Sequence, residues 1–174
     1  MSTKRTLYII ICTVFISNAF SQNLVLKIKG KNEIETKVID SLGYSKKLPN
    51  YLSITTEVDS LQKRLYKIGY IENSSSKIKK VNDSIFTTTF SLNNNYKYIH
   101  IYYTDKTISN EVIEKVSSEV NENYFVLDFV EIENSLDYIN SEIANRGFPF
   151  SKLKLDKITI VDNIIEAELV IDSD

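Results

Sequence analysis

The sequence predicts an α+β fold made of two tandem β-α-α-β-β units, each with two helices packed on a three-stranded mixed sheet. The first observation is an internal repeat, because residues 32–70 align without a gap with residues 110–148, 78 positions later. The second is that segments with alternating apolar residues precede and follow each copy, which is typical of half-buried strands. Two helices on one face of such a sheet complete a two-layer domain, so the repeat predicts two domains.

Each unit begins with a predicted strand. The segment LVLKIK in the first unit and the segment KYIHIYY in the second have apolar side chains at every other position. The residues on the apolar face are Leu24, Leu26 and Ile28 in the first unit, and Ile99, Ile101 and Tyr103 in the second. This period of two predicts that one face of each strand packs on a core.

A first helix follows each strand. Apolar side chains recur at helical spacing in both copies, at Ile34, Val38 and Leu42, and again at Val112, Val116 and Val120. A glycine suits the position just after a helix, so Gly43 predicts the end of the first copy. The valine-rich second copy has no such glycine, and its end stays open.

The second helix has the clearest signals. Asn50 and Asp128 occupy equivalent positions and are good N-cap residues, and Glu131 completes a capping-box pattern with Asp128. Gly69 and Gly147 end the two helices, where a left-handed conformation favours glycine. The apolar spacing between these ends is the same in both copies: Ile54, Val58, Leu61 and Leu65, and Ile132, Leu136, Ile139 and Ile143.

Two strands joined by a polar turn close each unit. The turns are predicted at Asn82-Asp83 and at Asp162-Asn163. The inner face of the last strand is predicted to carry Phe86, Thr88, Phe90 and Leu92, and in the second unit Ile165, Ala167, Leu169 and Ile171. We therefore assign the units to residues 22–93 and 98–174, with an Asn-rich linker at residues 94–97.

The N-terminus is typical of a secretory signal peptide over residues 1–21. Lys4 and Arg5 precede a ten-residue apolar run, and small residues follow it. A membrane anchor is the alternative, but a spanning helix needs about 20 apolar residues. Cys12 is the sole cysteine, and the bulky Ile11 before it argues against lipidation. The mature chain is then expected to begin at Gln22 without cysteine, and therefore without disulfides.

Composition excludes several classes of function. After removal of the leader, 19 basic and 23 acidic side chains leave a net charge of −4, which argues against a nucleic-acid-binding protein. His100 is the sole histidine and lies on the polar face of a strand. There is no glycine-rich phosphate loop and no calcium-loop spacing. We predict no catalytic, cofactor-binding or metal site, and a protein that is not an enzyme.

The order of elements, with a glycine-aromatic pair after the second helix in IGYI and RGFPF, resembles the POTRA domain, the polypeptide-transport-associated module. The resemblance covers the whole mature chain, and the second copy, from YINSEIANRGFPF to ELVI, is the more typical. It implies the periplasmic N-terminal part of an outer-membrane β-barrel protein, of the BamA and TamA type or of the two-partner secretion type.

In POTRA domains the strand after the second helix lies at a sheet edge and binds extended chains by strand addition. The resemblance places this edge near residues 77–81 in the first unit. In the second unit it comprises Lys152, Leu153, Lys154, Leu155, Asp156, Lys157, Ile158, Thr159, Ile160 and Val161. The lysines on these segments either deter aggregation of the edge or attract acidic partners.

The resemblance implies binding to unfolded or extended outer-membrane or secreted polypeptides, docking of periplasmic accessory proteins, and a C-terminal β-barrel in the full-length protein. We expect a fragment that lacks this barrel, at the inner face of the outer membrane. The alternatives are a free periplasmic adaptor and an α+β binding protein unrelated to transport. The cluster Tyr96, Tyr98, Tyr102 and Tyr103 is predicted to pack at the junction of the units or to cover the sheet, and the alternative is that it contacts a partner.

Overall fold

The computed structural model describes residues 23–103, 108–117 and 119–172. The predicted signal peptide, including Cys12, lies outside these ranges, so its cleavage stays a prediction. The described chain forms two α+β halves in sequence order, each with helices and its own mixed sheet. The predicted fold class is therefore confirmed.

In the first half, two helices connect the strands of one sheet. The strands are β1 (Leu24–Gly30), β2 (Lys47–Leu48), β3 (Ser74–Ser75), β4 (Lys79–Lys80) and β5 (Ile85–Ser91), and the helices are α1 (Glu33–Leu42) and α2 (Tyr51–Lys67). The sheet order is β2-β1-β5-β3, and β4 also pairs with β5. β1 and β5 are parallel, with Leu26 opposite Phe86.

The second half repeats this plan with a longer sheet. Its strands are β6 (Tyr98–Tyr102), β7 (Glu119–Val120), β8 (Tyr124–Asp128), β9 (Lys152–Val161) and β10 (Ile164–Asp172), and its helices are α3 (Asn110–Glu114) and α4 (Ile132–Asn145), with a 3-10 turn at Phe129–Glu131. The order is β7-β8-β6-β10-β9. The first and last strands are again parallel, with Ile101 opposite Ala167.

Both sheets contain strands beyond the predicted three. β2 pairs with β1 in the first half, and the hairpin of β7 and β8 pairs with β6 in the second. The strand expected near residues 77–81 is reduced to the two short pieces β3 and β4, which both pair with β5. The added strands cover the outer edge of the first strand in each half, where backbone groups would otherwise lack sheet partners.

Helix α1 starts and ends as its sequence requires, but its buried face differs from the prediction. Its C-cap Gly43 has φ of 67°. Ile34 is 76% exposed, whereas Ile39 is fully buried. At about 100° per residue, Ile34 lies roughly 90° from the centre of the face that Val38, Ile39 and Leu42 form, and this places it at the solvent margin.

Helix α2 agrees with the prediction throughout. The side-chain oxygen of Asn50 accepts a hydrogen bond from the backbone N–H of Ser53 at 2.8 Å, which satisfies one of the free donors at the helix start. The predicted stripe Ile54, Val58, Leu61 and Leu65 is buried. The chain leaves the helix through Gly69, whose φ is 93°.

The corresponding stretch in the second half differs from the prediction. The helical stripe predicted at Val112, Val116 and Val120 is wrong beyond its first residue, because α3 ends at Glu114 and Val120 lies in β7. Asp128 is the last residue of β8 and occupies the N-cap position of the 3-10 turn at Phe129–Glu131, but its side chain forms no cap hydrogen bond. Because α4 begins only after Glu131, the predicted capping box of Asp128 with Glu131 is wrong. The period of two over Tyr124–Asp128, with Phe125 and Leu127 buried, favours a strand.

Each half has a separate apolar core between its sheet and its helices. The predicted inner faces of the first and last strands contribute to these cores, since Leu26, Phe90, Ile101 and Ile165 are at most 1% exposed. Both predicted turns are present, and Asp162 and Asn163 adopt positive φ, as a tight hairpin turn requires. Within the described ranges, we find no helix with the length and apolar character needed to cross a membrane.

Candidate functional site

The predicted binding segment forms one continuous strand at the edge of the second sheet. β9 covers Lys152–Val161, the same ten residues that the resemblance indicated, and among the described residues it pairs with β10 alone. Its other side therefore presents unpaired backbone N–H and C=O groups. Whether this edge binds a polypeptide stays a prediction.

The remaining sheet edges in the described chain are much shorter. β2, β3, β4 and β7 contain two residues each. Short edge strands offer few backbone groups to an added strand. The first-half edge expected near residues 77–81 is accordingly a poor template, and β9 is the candidate site.

A β-bulge interrupts β9 at Lys157. The pairing with β10 shifts between Glu166 and Glu168, which lie opposite Thr159 and Asp156. Lys157 has φ of 49°, and its N–H donates to the carboxylate of Asp156 at 2.8 Å. The extra residue bends the strand and divides the edge into two segments, residues 152–156 and 158–161.

The bulge keeps four apolar side chains of β9 on one face. Leu155 lies opposite Leu169, and Ile160 lies opposite Ile165, and both partners point into the core. Residues directly opposite in a sheet share a face, and so do residues two apart. The core-side face of β9 therefore carries Leu153, Leu155, Ile158 and Ile160.

The lysines of β9 occupy the outer face and are partly neutralised by their own sheet. The ammonium of Lys157 lies 2.7 Å from a carboxylate oxygen of Glu168, and Lys154 lies 3.9 Å from Asp172. The hydrogen bond to Glu168, and then its negative charge, raises the pKa of Lys157 above its ordinary value. These exposed pairs leave Lys157 protonated at neutral pH.

A groove opens between α2 and the second half, next to β9. We call it the junction groove; its volume is about 690 Å³. Apolar and aromatic side chains dominate its lining, and charged residues of α2 lie at its rim. It is lined by Asp59, Gln62, Lys63, Tyr66, Lys67, Ile71, Asn73, Ile99, Phe129, Val130, Ile132, Glu133, Leu155, Ile158 and Ile165. Because Leu155 and Ile158 belong to β9, the groove is continuous with the candidate edge.

The linker is held against the loop that follows α2. The N–H of Tyr96 donates to the carbonyl of Gly69 at 2.9 Å, and the side-chain amide of Asn95 donates to the carbonyl of Ile68 at 2.9 Å. The hydroxyl of Tyr96 donates to Glu72 at 3.0 Å. The Tyr96 ring is 4% exposed and lies in the second core, as the junction alternative for the tyrosine cluster predicts.

Side-chain contacts extend the junction to the start of α4. The rings of Tyr66 and Phe129 meet edge to face at 6.3 Å, and the ammonium of Lys67 lies 2.8 Å from the carboxylate of Glu133. Ile71 packs against the second core. These contacts form one end of the junction groove.

Tyr98, Tyr102 and the histidine lie on the open face of the second sheet, whereas Tyr103 packs against the second core, with its ring 5.6 Å from that of Phe125. His100 stacks on Tyr124 with ring centroids 4.9 Å apart, and the hydroxyl of Tyr102 donates to Glu166 at 3.2 Å. Tyr98 is 55% exposed. Within residues 23–103, 108–117 and 119–172, no three His, Cys, Asp or Glu side chains converge as a metal site requires.

Sequence reasoning located the edge strand but missed the bulge and the junction groove. The bulge has a sequence signal, because Leu153 and Leu155 are two positions apart, as are Ile158 and Ile160, whereas Leu155 and Ile158 are three apart. The groove has none, since its walls come from segments far apart in sequence that meet through the docking of the two halves.

Comparison with known proteins identifies the fold. No protein-family model matches the sequence, and no curated protein does. The structure of BamA POTRA3-5 from Haemophilus influenzae matches with a TM-score of 0.58 and 16% identity, over 87% of this chain and 66% of that one. BamA from Haemophilus ducreyi lacking POTRA domains 1-3 matches with a TM-score of 0.51 and 10% identity, over 87% of this chain and 29% of that one. The chain has the fold of tandem POTRA domains and spans just under two thirds of the first structure.

Proposed function

We propose that this chain is a periplasmic module of an outer-membrane protein assembly or translocation system, and that it binds extended polypeptides by strand addition to β9. The observation that carries the proposal is the ten-residue edge strand, which in the part of the chain that the structure describes pairs on one side alone. A polypeptide that adds there continues the sheet and gains main-chain hydrogen bonds with little demand on its sequence.

The bulge at Lys157 decides how long the paired segments are. At about 3.3 Å per residue, residues 152–156 span roughly 16 Å, and residues 158–161 span roughly 13 Å. A bound chain pairs with one of these segments or crosses the bulge with a local break in hydrogen bonding. Segments of about five residues are therefore the natural binding unit.

The POTRA fold supports the assignment of compartment and partners. The clients in this proposal are unfolded or extended outer-membrane or secreted polypeptides, and periplasmic accessory proteins and a β-barrel are the further partners. The net charge of −2 for the whole chain argues against nucleic acid as a partner. The edge of β9 binds a polypeptide through its backbone N–H and C=O groups, with which any extended chain can form hydrogen bonds.

The test uses fluorescently labelled peptides of about nine residues with N-methylated amides. In an extended strand, alternate N–H groups point to the same side. One peptide carries N-methyl groups on alternate residues, which leaves one of its two edges free to pair, and its matched control carries them on every residue, which blocks both edges. Binding to the full chain is followed by fluorescence anisotropy, and the contacted residues are identified by amide chemical shifts.

Strand addition predicts that the alternately methylated peptide binds like the unmodified peptide, while the fully methylated peptide loses binding. The shift changes should concentrate in β9 and β10. If both N-methylated peptides bind equally, or if the shifts change elsewhere, β9 is not used as a template and the proposal fails.

A further inference from the structure

The junction groove exposes apolar surface directly beside the free edge of β9. Its floor includes the buried side chains Ile99 and Ile165, which are at most 2% exposed. Its walls include Val130, Ile158 and Tyr66, which are between 50% and 57% exposed. Contiguous apolar surface of this kind marks interaction sites in soluble proteins.

The groove lies on the side of β9 that faces the core, so it is next to one of the two faces of any strand that adds to β9. Side chains of an added strand alternate between the two faces of the extended sheet. The side chains on the core-side face lie beside Leu155 and Ile158, which form the wall of the groove. The other side chains lie beside Lys152, Lys154 and Lys157 on the outer face.

We propose that the junction groove is a side-chain pocket for the polypeptide bound at β9, and that it selects extended segments with large apolar residues at alternate positions. This inference rests on the proposed strand addition. The volume of the junction groove, about 690 Å³, lies within the range of pockets that enclose organic ligands. The groove therefore accommodates a leucine, isoleucine or aromatic side chain. The lysines on the opposite face favour polar or acidic residues at the intervening positions.

The bulge gives this selection its physical basis. The residues after it, Ile158 and Ile160, are on the same face as Leu153 and Leu155 because Lys157 occupies the extra position. Without the extra residue, alternation would turn Ile158 and Ile160 to the outer face. The apolar strip along β9 would then stop at Leu155, and the wall of the groove would lose Ile158.

The charges at the rim do not favour a particular sign. Asp59 and Lys63 both line the groove, and Lys67 is engaged by Glu133 at 2.8 Å. The groove therefore discriminates by apolar burial, and an ionised side chain placed in it would lose hydration without a dedicated partner.

The test compares two peptides of identical composition on the full chain. One alternates leucine with threonine and glutamate, and the other has its leucines in a block. The alternating peptide should bind about tenfold more tightly, the change expected when one more large apolar side chain is buried. Val130→Asp should abolish this preference, whereas Ile34→Asp, at an exposed isoleucine of α1 in the first half, should leave it unchanged.

The outcomes separate the two proposals. Equal binding of both peptides, with the N-methyl pattern of strand addition retained, overturns the groove and leaves strand addition standing. Loss of the preference in both aspartate variants also overturns it, because the effect would then not be local. Failure of every peptide to bind removes strand addition and this inference with it.

Discussion

Replacing Gly69 with alanine should destabilise the protein much more than the same replacement at Gly147. The two glycines are equivalent in the repeat, and both have positive φ, 93° and 105°. A Cβ at such a φ costs about 1–2 kcal/mol, and this cost is common to both sites. The difference between the two variants therefore isolates what surrounds each glycine.

The surroundings differ because the linker occupies one site and not the other. A Cβ on Gly69 would overlap the carbonyl oxygen of Tyr96 and lie 3.0 Å from its carbonyl carbon, whereas a Cβ on Gly147 meets nothing within 4 Å. The linker must then move, which breaks the two hydrogen bonds from Tyr96 and Asn95, each contributing about 1 kcal/mol. We expect a loss of about 3–4 kcal/mol for Gly69→Ala and about 1–2 kcal/mol for Gly147→Ala.

Urea denaturation measures both losses. Intrinsic tyrosine fluorescence serves as the signal, because the chain has eleven tyrosines and no tryptophan. Amide spectra of Gly69→Ala should also show changes at residues 68–73 and 95–96, with few changes in Gly147→Ala outside its own loop. Equal losses of stability in the two variants would refute the close approach of the linker to Gly69.

Three further outcomes are expected. Mass spectrometry of the exported protein should give a mature chain that begins at Gln22, and retention of the apolar leader would contradict the signal-peptide assignment. Phe150→Ser should change the free energy of unfolding by less than about 0.5 kcal/mol, because this residue is 79% exposed. Phe90→Ala, at a fully buried residue, should lower it by about 3–5 kcal/mol. Similar losses in the two variants would contradict the difference in burial. Glu168→Gln should return the pKa of Lys157 toward 10.5, as measured by NMR titration. The raised pKa in the folded protein stabilises it at lower pH, and this contribution to the free energy of unfolding disappears as the pH rises through that pKa. The variant should therefore show a smaller decrease in the free energy of unfolding at alkaline pH.

Local signals in the sequence predicted most of the elements correctly. Asn50 caps α2 because its side chain reaches an N–H three residues later, and Gly69 ends it because the chain must adopt positive φ. Such interactions span a few residues, so they can be inferred from spacing alone. The candidate edge at residues 152–161 was placed by resemblance, and its bounds agree with β9.

The second copy of the first helix shows where local signals are insufficient. Its valines fit a helical period, while Phe125 and Leu127 fit a strand. The structure forms the strand because β8 pairs with the outer edge of β6 across five residues, Tyr98 to Tyr102. That edge exists only once the sheet is assembled. The sequence of β8 alone therefore does not reveal that the backbone groups of β6 need hydrogen-bond partners.

The sequence by itself determined the repeat, the three strands expected in each half and most of the apolar positions that form the two cores, since these depend on periodicity and on caps within one element. The added strands β2, β7 and β8 were not visible in it. The tertiary structure alone decided the junction. The contact of Tyr96 with Gly69, the packing of Ile71 on the second core and the groove beside β9 join residues from separate elements. Their geometry follows from how the two halves dock, and docking depends on the shapes of completed surfaces rather than on the pattern of any one segment.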